Sequence, residues 1–459
     1  MLDGALGTMI QQYGLTEADF RGEEFKNHPV KLEGNNDILV LTRPDIISNI
    51  HRQYLEAGAD IIETCTFNSQ AISQTEYQTT DFVYRINLEA ARLARQEADR
   101  MTALTPDKPR FVAGSVGPTA KMTSMSPDVE NPALRAVDYD TLCKAYVEQM
   151  EALMEGGVDA LLIETIFDTL NAKAALCAAR EVFQTIGRKV PVMLSVTVAD
   201  AGGRLLSGQT LEAFLTSVAH EEIFSVGLNC SFGAEQMLPF LKRLSEIAPS
   251  YISVYPNAGL PDAMGKYDET PEKMAAHVTP FVNGCLVNIL GGCCGTTPEH
   301  IRALAEVASN AQVIRTPQTA SLPWLAGLEG FDAKGSFINV GERCNVAGSR
   351  KFLRLVKEKS YDEALSIARA QVRDGAMMLD INMDDAMLDA KEEMTHFLNL
   401  MASDPEVARL PWMVDSSRFE VIEAALKCIQ GKAVVNSLSL KEGEEVFLQR
   451  AARVRELGA

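Results

Sequence analysis

Two adjacent cysteines, Cys293 and Cys294, lie in a glycine-rich turn at 291–295 that follows a short apolar run. A third cysteine, Cys230, ends another apolar run at 225–230. Adjacent cysteines do not easily close a disulfide of ordinary geometry with each other, and thiolates are ligands that zinc prefers. Three of them leave one coordination position open, where a substrate thiol can bind and lose its proton. The cysteines therefore predict a zinc site for thiol alkylation.

Packing is the competing role for these cysteines, because a cysteine on a strand is usually a core residue. For Cys230 taken alone, packing is the expected role. The adjacent pair favours a metal, since its glycines weaken a strand interior but suit a turn that carries ligands. The remaining cysteines have no partner at ligand spacing, and we expect them to pack: Cys65, Cys143, Cys177, Cys285, Cys344 and Cys428.

The composition limits the class of partner. The chain has 459 residues, and its 43 Lys and Arg against 62 Asp and Glu give a net charge of −19. A protein this acidic is a poor partner for nucleic acid or an anionic membrane. The sequence contains no apolar run of the ~20 residues that span a bilayer and no signal-peptide pattern. Its nine cysteines, an odd number, fit reduced thiols, so we expect a cytoplasmic protein.

Short apolar runs alternate with helical periodicity through the first 310 residues. Strands alternating with helices in this number are typical of a closed (β/α)8 barrel; a doubly wound sheet, the alternative, usually has about five or six strands. The eight predicted strands start at Met1–Gly4 and continue at 59–67, 110–118, 160–166, 192–198, 225–230, 251–259 and 285–295. Helices are predicted at 45–57, 81–99, 139–156, 168–186 and 298–309.

Polar side chains collect at the C-terminal ends of these strands, the face where barrel enzymes have their active sites. A closed ring brings the eighth strand near the sixth, so Cys230 and the Cys293-Cys294 pair can converge. Glu164 stands in an apolar strand, and an ammonium group on a substrate would satisfy such a costly buried carboxylate. Capping of the next turn is the alternative role for Glu63 and Glu164. The other polar strand ends are Asp3, Asn229 and Asn257.

The chain changes character after about residue 310. Prolines and glycines indicate a linker at 311–334, between a first domain at 1–310 and a second at 335–459. The second domain has predicted strands at 336–343, 377–384, 412–417 and 432–439, and helices at about 361–374, 389–402, 419–429 and 442–457. These elements predict the first half of a second (β/α)8 barrel. Its unpaired strand edge at 432–439 predicts poor order or self-association of the second domain.

The strand ends of the second half carry Asp and Asn side chains. A carboxylate accepts hydrogen bonds and an amide both accepts and donates, so together they can pair with the edge of a flat heterocycle. Turn and cap chemistry is the alternative role, and no phosphate-binding P-loop is present. The residues are Glu342, Asn345, Asp380, Asn382, Asp415 and Asn436.

Motifs in both halves resemble those of cobalamin-dependent methionine synthases. In the first half they are DGALGT at 3–8, GNND at 34–37, GADIIET at 58–64, FDT at 167–169, PNAG at 256–259 and GGCCGTTPEH at 291–300. In the second half VGER at 340–343, DINMD at 380–384, VDSS at 414–417 and KCIQG at 427–431 resemble the folate-binding barrel of that family. The resemblance covers essentially the whole chain. The first half alone is also similar to other zinc homocysteine methyltransferases, including the betaine-dependent type.

The resemblance implies specific roles for the residues found above. Cys230, Cys293 and Cys294 would hold Zn²⁺, and the homocysteine sulfur would take the open position. Asp3 and Glu164 would hold the substrate amino group, and Asn257 would line the site. The expected contacts to the pterin of 5-methyltetrahydrofolate are Asn345, Asp380, Asp415 and Asn436.

By the chemistry of that family, the homocysteine thiolate takes the methyl group of methylcobalamin, which 5-methyltetrahydrofolate regenerates. The family adds a corrinoid-binding domain and usually a reactivation domain that uses S-adenosylmethionine. This sequence contains no corrinoid motif of the form Asp-x-His-x-x-Gly, so we expect a fragment of a longer synthase, with the corrinoid-binding domain in the full-length chain or in trans. The chain also has Cys344 where the family usually has Thr.

Two other functions remain open at this stage. One is a corrinoid-independent zinc homocysteine methyltransferase that uses a small donor such as betaine or S-methylmethionine. The other is a non-catalytic zinc- or folate-binding module that serves a partner carrying the corrinoid.

Overall fold

The computed structural model describes residues 1–262, 265, 267–317, 322–332 and 337–459. Parts of the predicted linker and the predicted strand start at Ser336 lie outside these ranges. Within them, the α/β fold is confirmed: one curled parallel sheet is followed by a smaller parallel sheet. No helix in the described ranges combines the length and the apolar character that a membrane span requires.

Seven parallel strands form the first sheet, and their order follows the chain. Helices cover the outer face of this sheet, so the strands are buried on both faces, which explains their nearly continuous apolar sequences. The strands are β1 Ile61–Glu63, β2 Phe111–Val116, β3 Ala160–Ile166, β4 Val192–Val196, β5 Ser225–Gly233, β6 Tyr251–Asn257 and β7 Ile289–Leu290.

A single bridge at Leu2 closes the ring. Leu2 pairs in parallel with Ile61 of β1, and its N–H donates to the carbonyl oxygen of Leu290 in β7 at 2.7 Å. Inside the ring, Leu2 packs in one layer with side chains of four strands, Ala113, Leu162, Met193 and Tyr255. The first predicted strand therefore occupies its barrel position, although it is shorter than predicted, and the (β/α)8 barrel is confirmed.

The helices of the first barrel lie between successive strands. Side-chain caps such as Asp138, Asp168 and Thr270 accept backbone N–H groups and mark where helices begin. The helices are α1 Leu6–Gln12, α2 Glu17–Arg21, α3 Leu39–Thr42, α4 Pro44–Ala57, α5 Ala71–Gln74, α6 Val83–Leu104, α7 Tyr139–Glu155, α8 Thr169–Ile186, α9 Leu211–Val218, α10 Ala234–Ile247, α11 Pro271–Asn283 and α12 Pro298–Ser309.

The second sheet has four parallel strands and corresponds to the first half of a barrel. A short hairpin precedes it, inside the segment predicted to be a linker, and α13 is also absent from the sequence prediction. The strands are β8 Leu325–Ala326 and β9 Gly330–Phe331 of the hairpin, then β10 Val340–Asn345, β11 Met378–Asn382, β12 Trp412–Asp415 and β13 Val434–Asn436. The helices are α13 Arg350–Lys357, α14 Tyr361–Arg373, α15 Ala390–Ala402, α16 Pro405–Ala408, α17 Phe419–Leu426 and α18 Glu444–Glu456.

The edge of the second sheet is β13, which pairs with β12 on one side. This edge coincides with the one predicted from the sequence, and the poor order or self-association expected from it remains a prediction.

The second sheet docks on the α7–α8 side of the first barrel. Lys173 of α8 is 2% exposed, and its Nζ donates to the carbonyl oxygens of Ile429 at 3.2 Å and Gly431 at 2.5 Å. Burial lowers the pKa of Lys173 to about 7, but a neutral amine still has enough N–H groups for both carbonyls. Gly431 approaches the hairpin so closely that a Cβ there would lie 1.9 Å from the carbonyl oxygen of Ala326.

We predict that Lys173→Met destabilises the contact between the two sheets. The variant keeps most of the side-chain volume but leaves the carbonyls of Ile429 and Gly431 buried without a donor, which costs about 1–3 kcal/mol. Urea unfolding of the full chain measures this loss. The matched control is Lys189→Met, because Lys189 pairs with Glu222 at the surface and such a change is expected within about 0.5 kcal/mol of zero. Equal stability of the two variants would contradict the prediction.

Candidate active site

The three cysteines predicted as zinc ligands converge. The Sγ atoms of Cys230, Cys293 and Cys294 all lie within 4.8 Å of one another, and the Cys230 and Cys294 sulfurs are 4.0 Å apart. All three line one cavity and are partly exposed to it. Three soft donors that meet on one side of a cavity fit a tetrahedral zinc ion with its fourth position open to a ligand.

A bulge at the end of β5 aims Cys230 at the cavity. The register between β5 and β6 shifts between Asn229 and Gly233. Cys230 and Ser231 take left-handed backbone angles, with φ of +59° and +58°. A bulge of this kind redirects a side chain at the point where strand pairing ends, so β5 can be apolar along its length and still present a thiol at its tip.

The turn after β7 presents the other two thiols. The backbone N–H of Cys294 donates to Asn257 Oδ1 at 3.1 Å, so Asn257 holds the ligand-bearing turn as well as lying near the site. The turn is tight: a Cβ at Gly292 would lie 2.5 Å from Thr296 Oγ1. Glycine is therefore required beside Cys293.

A cavity of about 770 Å³ opens on the thiols at the C-terminal end of the ring. This volume is in the range that holds small-molecule ligands. Strand-end residues Glu63, Ser115, Glu164 and Tyr255 form part of its lining, and Tyr267 contributes from a loop.

Four carboxyl groups lie at or beside this cavity, one of them that of Asp37 in its lining. Glu63 and Glu164 line it, and Asp3 is buried next to Glu63, whose N–H donates to Asp3 Oδ2 at 3.0 Å. The hydroxyl of Ser115 donates to Glu164 Oε1 at 2.5 Å, and the Tyr255 hydroxyl donates to Oε2 at 3.4 Å. Asp3 Oδ1 is buried and has no hydrogen-bond partner among the described residues, so the group is ready to accept a donor.

Burial controls the protonation of these acids. It raises the pKa of Glu164 to about 7, against hydrogen bonds from Ser115 and Tyr255 that favour the ionised form. Burial also raises the pKa values of Asp3 and Glu63 well above their usual range, and the charge of Glu164 adds to both shifts. A cation in the cavity would reverse these shifts, because it favours the ionised carboxylates.

The three thiols share protons among themselves. Hydrogen bonds from Cys293 and Cys294 hold the pKa of Cys230 well below its usual range, and the same contacts help to raise the pKa values of Cys293 and Cys294. Cys230 is therefore the thiol of the cluster that ionises most readily. A divalent cation stabilises thiolates much more strongly than a shared proton does.

A second polar cluster lies at the strand ends of the second sheet. The side-chain NH₂ of Asn345 donates to Asp380 Oδ2 at 2.9 Å and to Asp415 Oδ2 at 3.2 Å. Asp380 Oδ1 is buried without a partner in the described ranges. Burial, followed by the charges of Asp415 and Glu342, raises the pKa of Asp380 to about 6. Three of the four residues expected to contact a pterin thus form one hydrogen-bonded group with free acceptor capacity.

The fourth expected pterin contact, Asn436, lies opposite Asp415 on the neighbouring strand, and its side chain is exposed. Cys344, the residue that departs from the related family, is fully buried, and Gln371 Nε2 donates to its sulfur at 3.3 Å. Its thiol therefore packs between β10 and α14, the helix that carries Gln371.

Several residues of the site carried no assigned role in the sequence analysis. For Glu63, the sequence left open whether the side chain caps the next turn or takes part in the chemistry of the site. Asn229 was noted only as a polar residue at a strand end. Ser115 and Tyr255, which hydrogen-bond Glu164, were not singled out. A polar residue inside an apolar strand, as in FVAGSV at 111–116 and SVGLNC at 225–230, is the signal that points to such residues.

The comparisons with known proteins agree with this geometry. Residues 1–308 match the sequence model of the family described as homocysteine S-methyltransferase, and residues 341–459 match that of pterin-binding enzymes.

Among solved structures, the oxidized form of the homocysteine methyltransferase MmuM from Escherichia coli aligns with a TM-score of 0.53 at 22% identity, over 66% of this chain and 94% of that chain. Its metallated form aligns with a TM-score of 0.50 at 24% identity, over the same shares of the two chains. These two likenesses show a shared fold. The homocysteine S-methyltransferase model matches most of the length of this chain, so the chain belongs to the homocysteine S-methyltransferase family.

Proposed function

We propose that the protein makes methionine as a cobalamin-dependent methionine synthase: homocysteine is methylated in the first barrel, and the methyl group originates from 5-methyltetrahydrofolate bound at the second sheet. The observation that carries the proposal is the convergence of three thiols and the carboxyl groups of Glu63 and Glu164 on one cavity. Family membership supports the enzyme class, and the pterin-binding match supports folate as the donor. Methylcobalamin would carry the methyl group between the two sites, bound by a corrinoid-binding domain in the full-length chain or in trans.

Cys230, Cys293 and Cys294 are the proposed zinc ligands. A zinc ion held there would lower the pKa of a substrate thiol, so that the thiolate exists at neutral pH. Asn257 would hold the turn that carries two of the ligands, through its hydrogen bond with the N–H of Cys294.

Asp3 and Glu164 are the proposed partners of the substrate amino group, and Glu63 adds a third carboxyl group beside them. An amino acid has one ammonium group, which the buried carboxylates would attract strongly in a cavity of low polarity. Ser115 and Tyr255 would hold Glu164 in place by their hydrogen bonds to its two oxygens. The substrate is then fixed at both ends, by its nitrogen and by its sulfur.

Asn345, Asp380, Asp415 and Asn436 are the proposed pterin contacts. The unpartnered Oδ1 of Asp380 offers an acceptor for the ring N–H and amino groups of a pterin. The division into a homocysteine-binding domain at 1–310, a linker at 311–334 and a pterin-binding domain at 335–459 is part of the proposal.

The Cys230→Ala variant tests the thiol site. We expect zinc content to fall from about one ion per chain to background, because two thiolates alone hold zinc poorly, and methionine formation from homocysteine and added methylcobalamin to be lost. Zinc analysis and a methionine assay on the full chain measure both. Cys428→Ala is the matched control, since Cys428 lies in the second sheet unit, where its thiol donates to the carbonyl of Ala424.

Normal zinc content in Cys230→Ala would remove Cys230 from the ligand set. Methyl transfer by the native chain from betaine or S-methylmethionine, without a corrinoid, would replace the proposed donor with a small one.

The amino-group site should respond to pH. Glu164 has a raised pKa of about 7, so it is mostly protonated below this pH and ionised above it. The affinity for methionine, which has the amino group but no thiol, is therefore expected to rise with pH from about 5.5 to 7.5, by up to about tenfold per unit. The pKa values of Asp3 and Glu63 are also raised, so the ionisation of these acids likewise increases the affinity for methionine as the pH rises.

Calorimetric titration of methionine over this pH range makes the measurement. Glu164→Gln should weaken binding and flatten the profile, whereas Glu76→Gln, outside the cavity lining, should change neither. An affinity that falls as pH rises would contradict the assignment.

The pterin site is tested by Asp380→Asn. The change replaces a charged acceptor by an amide, and hydrogen bonds to a charged group contribute about 1.5–3 kcal/mol, so the affinity for 5-methyltetrahydrofolate should fall by about 10- to 100-fold. Equilibrium titration followed by fluorescence measures it. Asp362→Asn, an exposed carboxylate at the start of α14, is the control. Unchanged folate affinity in Asp380→Asn would separate this residue from the pterin site.

A further inference from the structure

Asn229 precedes the zinc-site cysteine Cys230 and is fully buried. Its Oδ1 accepts hydrogen bonds from the backbone N–H of Thr165 at 3.1 Å and from Ser195 Oγ at 2.6 Å. Its Nδ2 donates to Thr165 Oγ1 at 2.8 Å and faces Cys293 Sγ at 4.0 Å. The N–H of Thr165 can only donate, so the amide orientation is fixed by the network.

Thr165, the main partner of this amide, directly follows the carboxylate residue Glu164. It has a left-handed backbone, with φ of +54°, at a register shift between β3 and β4. A β-branched residue rarely adopts this conformation unless its surroundings impose it. Two hydrogen bonds hold Thr165 in this conformation next to Glu164: its backbone N–H donates to Asn229 Oδ1, and Asn229 Nδ2 donates to its Oγ1.

Asn229 therefore contacts both functional halves of the cavity. Its hydrogen bonds to Thr165 hold the bulge that carries the carboxylate Glu164. Toward the sulfur cluster, it directly precedes Cys230, which has a left-handed backbone, and its second N–H points at the sulfur of Cys293. Asn229 thus connects the segment that carries the carboxylate of Glu164 with the segments that carry the sulfur cluster.

We propose that Asn229 is a positioning residue that sets the separation between the amino-group site and the zinc site, and so selects amino thiols of homocysteine length over the shorter cysteine. Its second N–H lies 4.0 Å from the sulfur of Cys293, which makes Asn229 a partner of one of the proposed metal ligands. This inference rests on the proposed function and adds to it the group that determines substrate length.

The test replaces Asn229 by Leu, which has nearly the same shape and no hydrogen-bonding atoms. The matched control is Asn87→Leu, because Asn87 is an equally buried asparagine of the same barrel. It donates to the carbonyl of Val83 in α6 and to that of Ser69 in the loop before α5. Both variants lose hydrogen bonds in the core, and only the first loses contacts between the two halves of the cavity.

Cobalt(II) in place of zinc reports on the sulfur ligands through its charge-transfer absorption. Titrations of the cobalt-loaded full chain with homocysteine and with cysteine give the ratio of the two dissociation constants. We expect the native chain to prefer homocysteine by about tenfold or more and Asn229→Leu to lose most of this preference, while Asn87→Leu keeps it. Competition with a metal chelator should show about 10- to 100-fold weaker metal binding in Asn229→Leu alone, the usual effect of losing a partner of a metal ligand.

An unchanged thiol preference and unchanged metal affinity in Asn229→Leu would overturn the positioning role and leave the proposed function standing. A native cobalt protein that responds to neither thiol would overturn both. If Asn229→Leu does not fold, Ser195→Ala decides: it removes only the hydroxyl that donates to Asn229 Oδ1, and it should lower the homocysteine preference by a smaller factor. If Ser195→Ala prefers homocysteine over cysteine as strongly as the native chain does, that result would count against the inference.

Discussion

Excess negative charge in one cavity is the constraint that the site depends on. The clustered thiols of Cys230, Cys293 and Cys294 line the same space as the carboxyl groups of Asp37, Glu63 and Glu164, and Asp3 is buried beside them. Without cations, the acids stay partly protonated and the thiols share their protons. Two cations of different kinds would relieve this, a soft dication among the sulfurs and an ammonium group among the oxygens. A thiol amino acid would supply the second cation together with a further sulfur for the first, which is why the proposed substrate fits this charge distribution.

The polar strand ends of the two sheets share one arrangement. In each, an asparagine at a strand end ties together groups on different strands: Asn229 links β5 to β3, and Asn345 links Asp380 to Asp415. An amide suits this task because it donates and accepts without adding charge to an already acidic cluster. The carboxylate oxygens left over, such as Asp380 Oδ1, then remain available.

The sequence predicted the barrel well because strands buried on both faces are continuous apolar runs. The adjacent Cys293-Cys294 pair in its glycine turn also predicted the sulfur cluster, and ring closure explained how Cys230 reaches it. The hairpin β8–β9 was missed because two-residue strands have no periodicity. The role of Asn229 was missed because it depends on the left-handed Thr165 on another strand, and the pairing of strands distant in sequence cannot be read from either segment alone.

The cavity also lies across the seam of the barrel, the place where residues 1–3 close the ring. Asp3 belongs to the closing segment, Glu63 to the strand on one side, and Cys293 follows the strand on the other side. A ligand held between them joins three segments that otherwise meet through a few backbone hydrogen bonds. Ligand binding and closure of the ring are therefore thermodynamically linked. A bound ligand stabilises the closed barrel, and opening of the barrel at its seam releases the ligand.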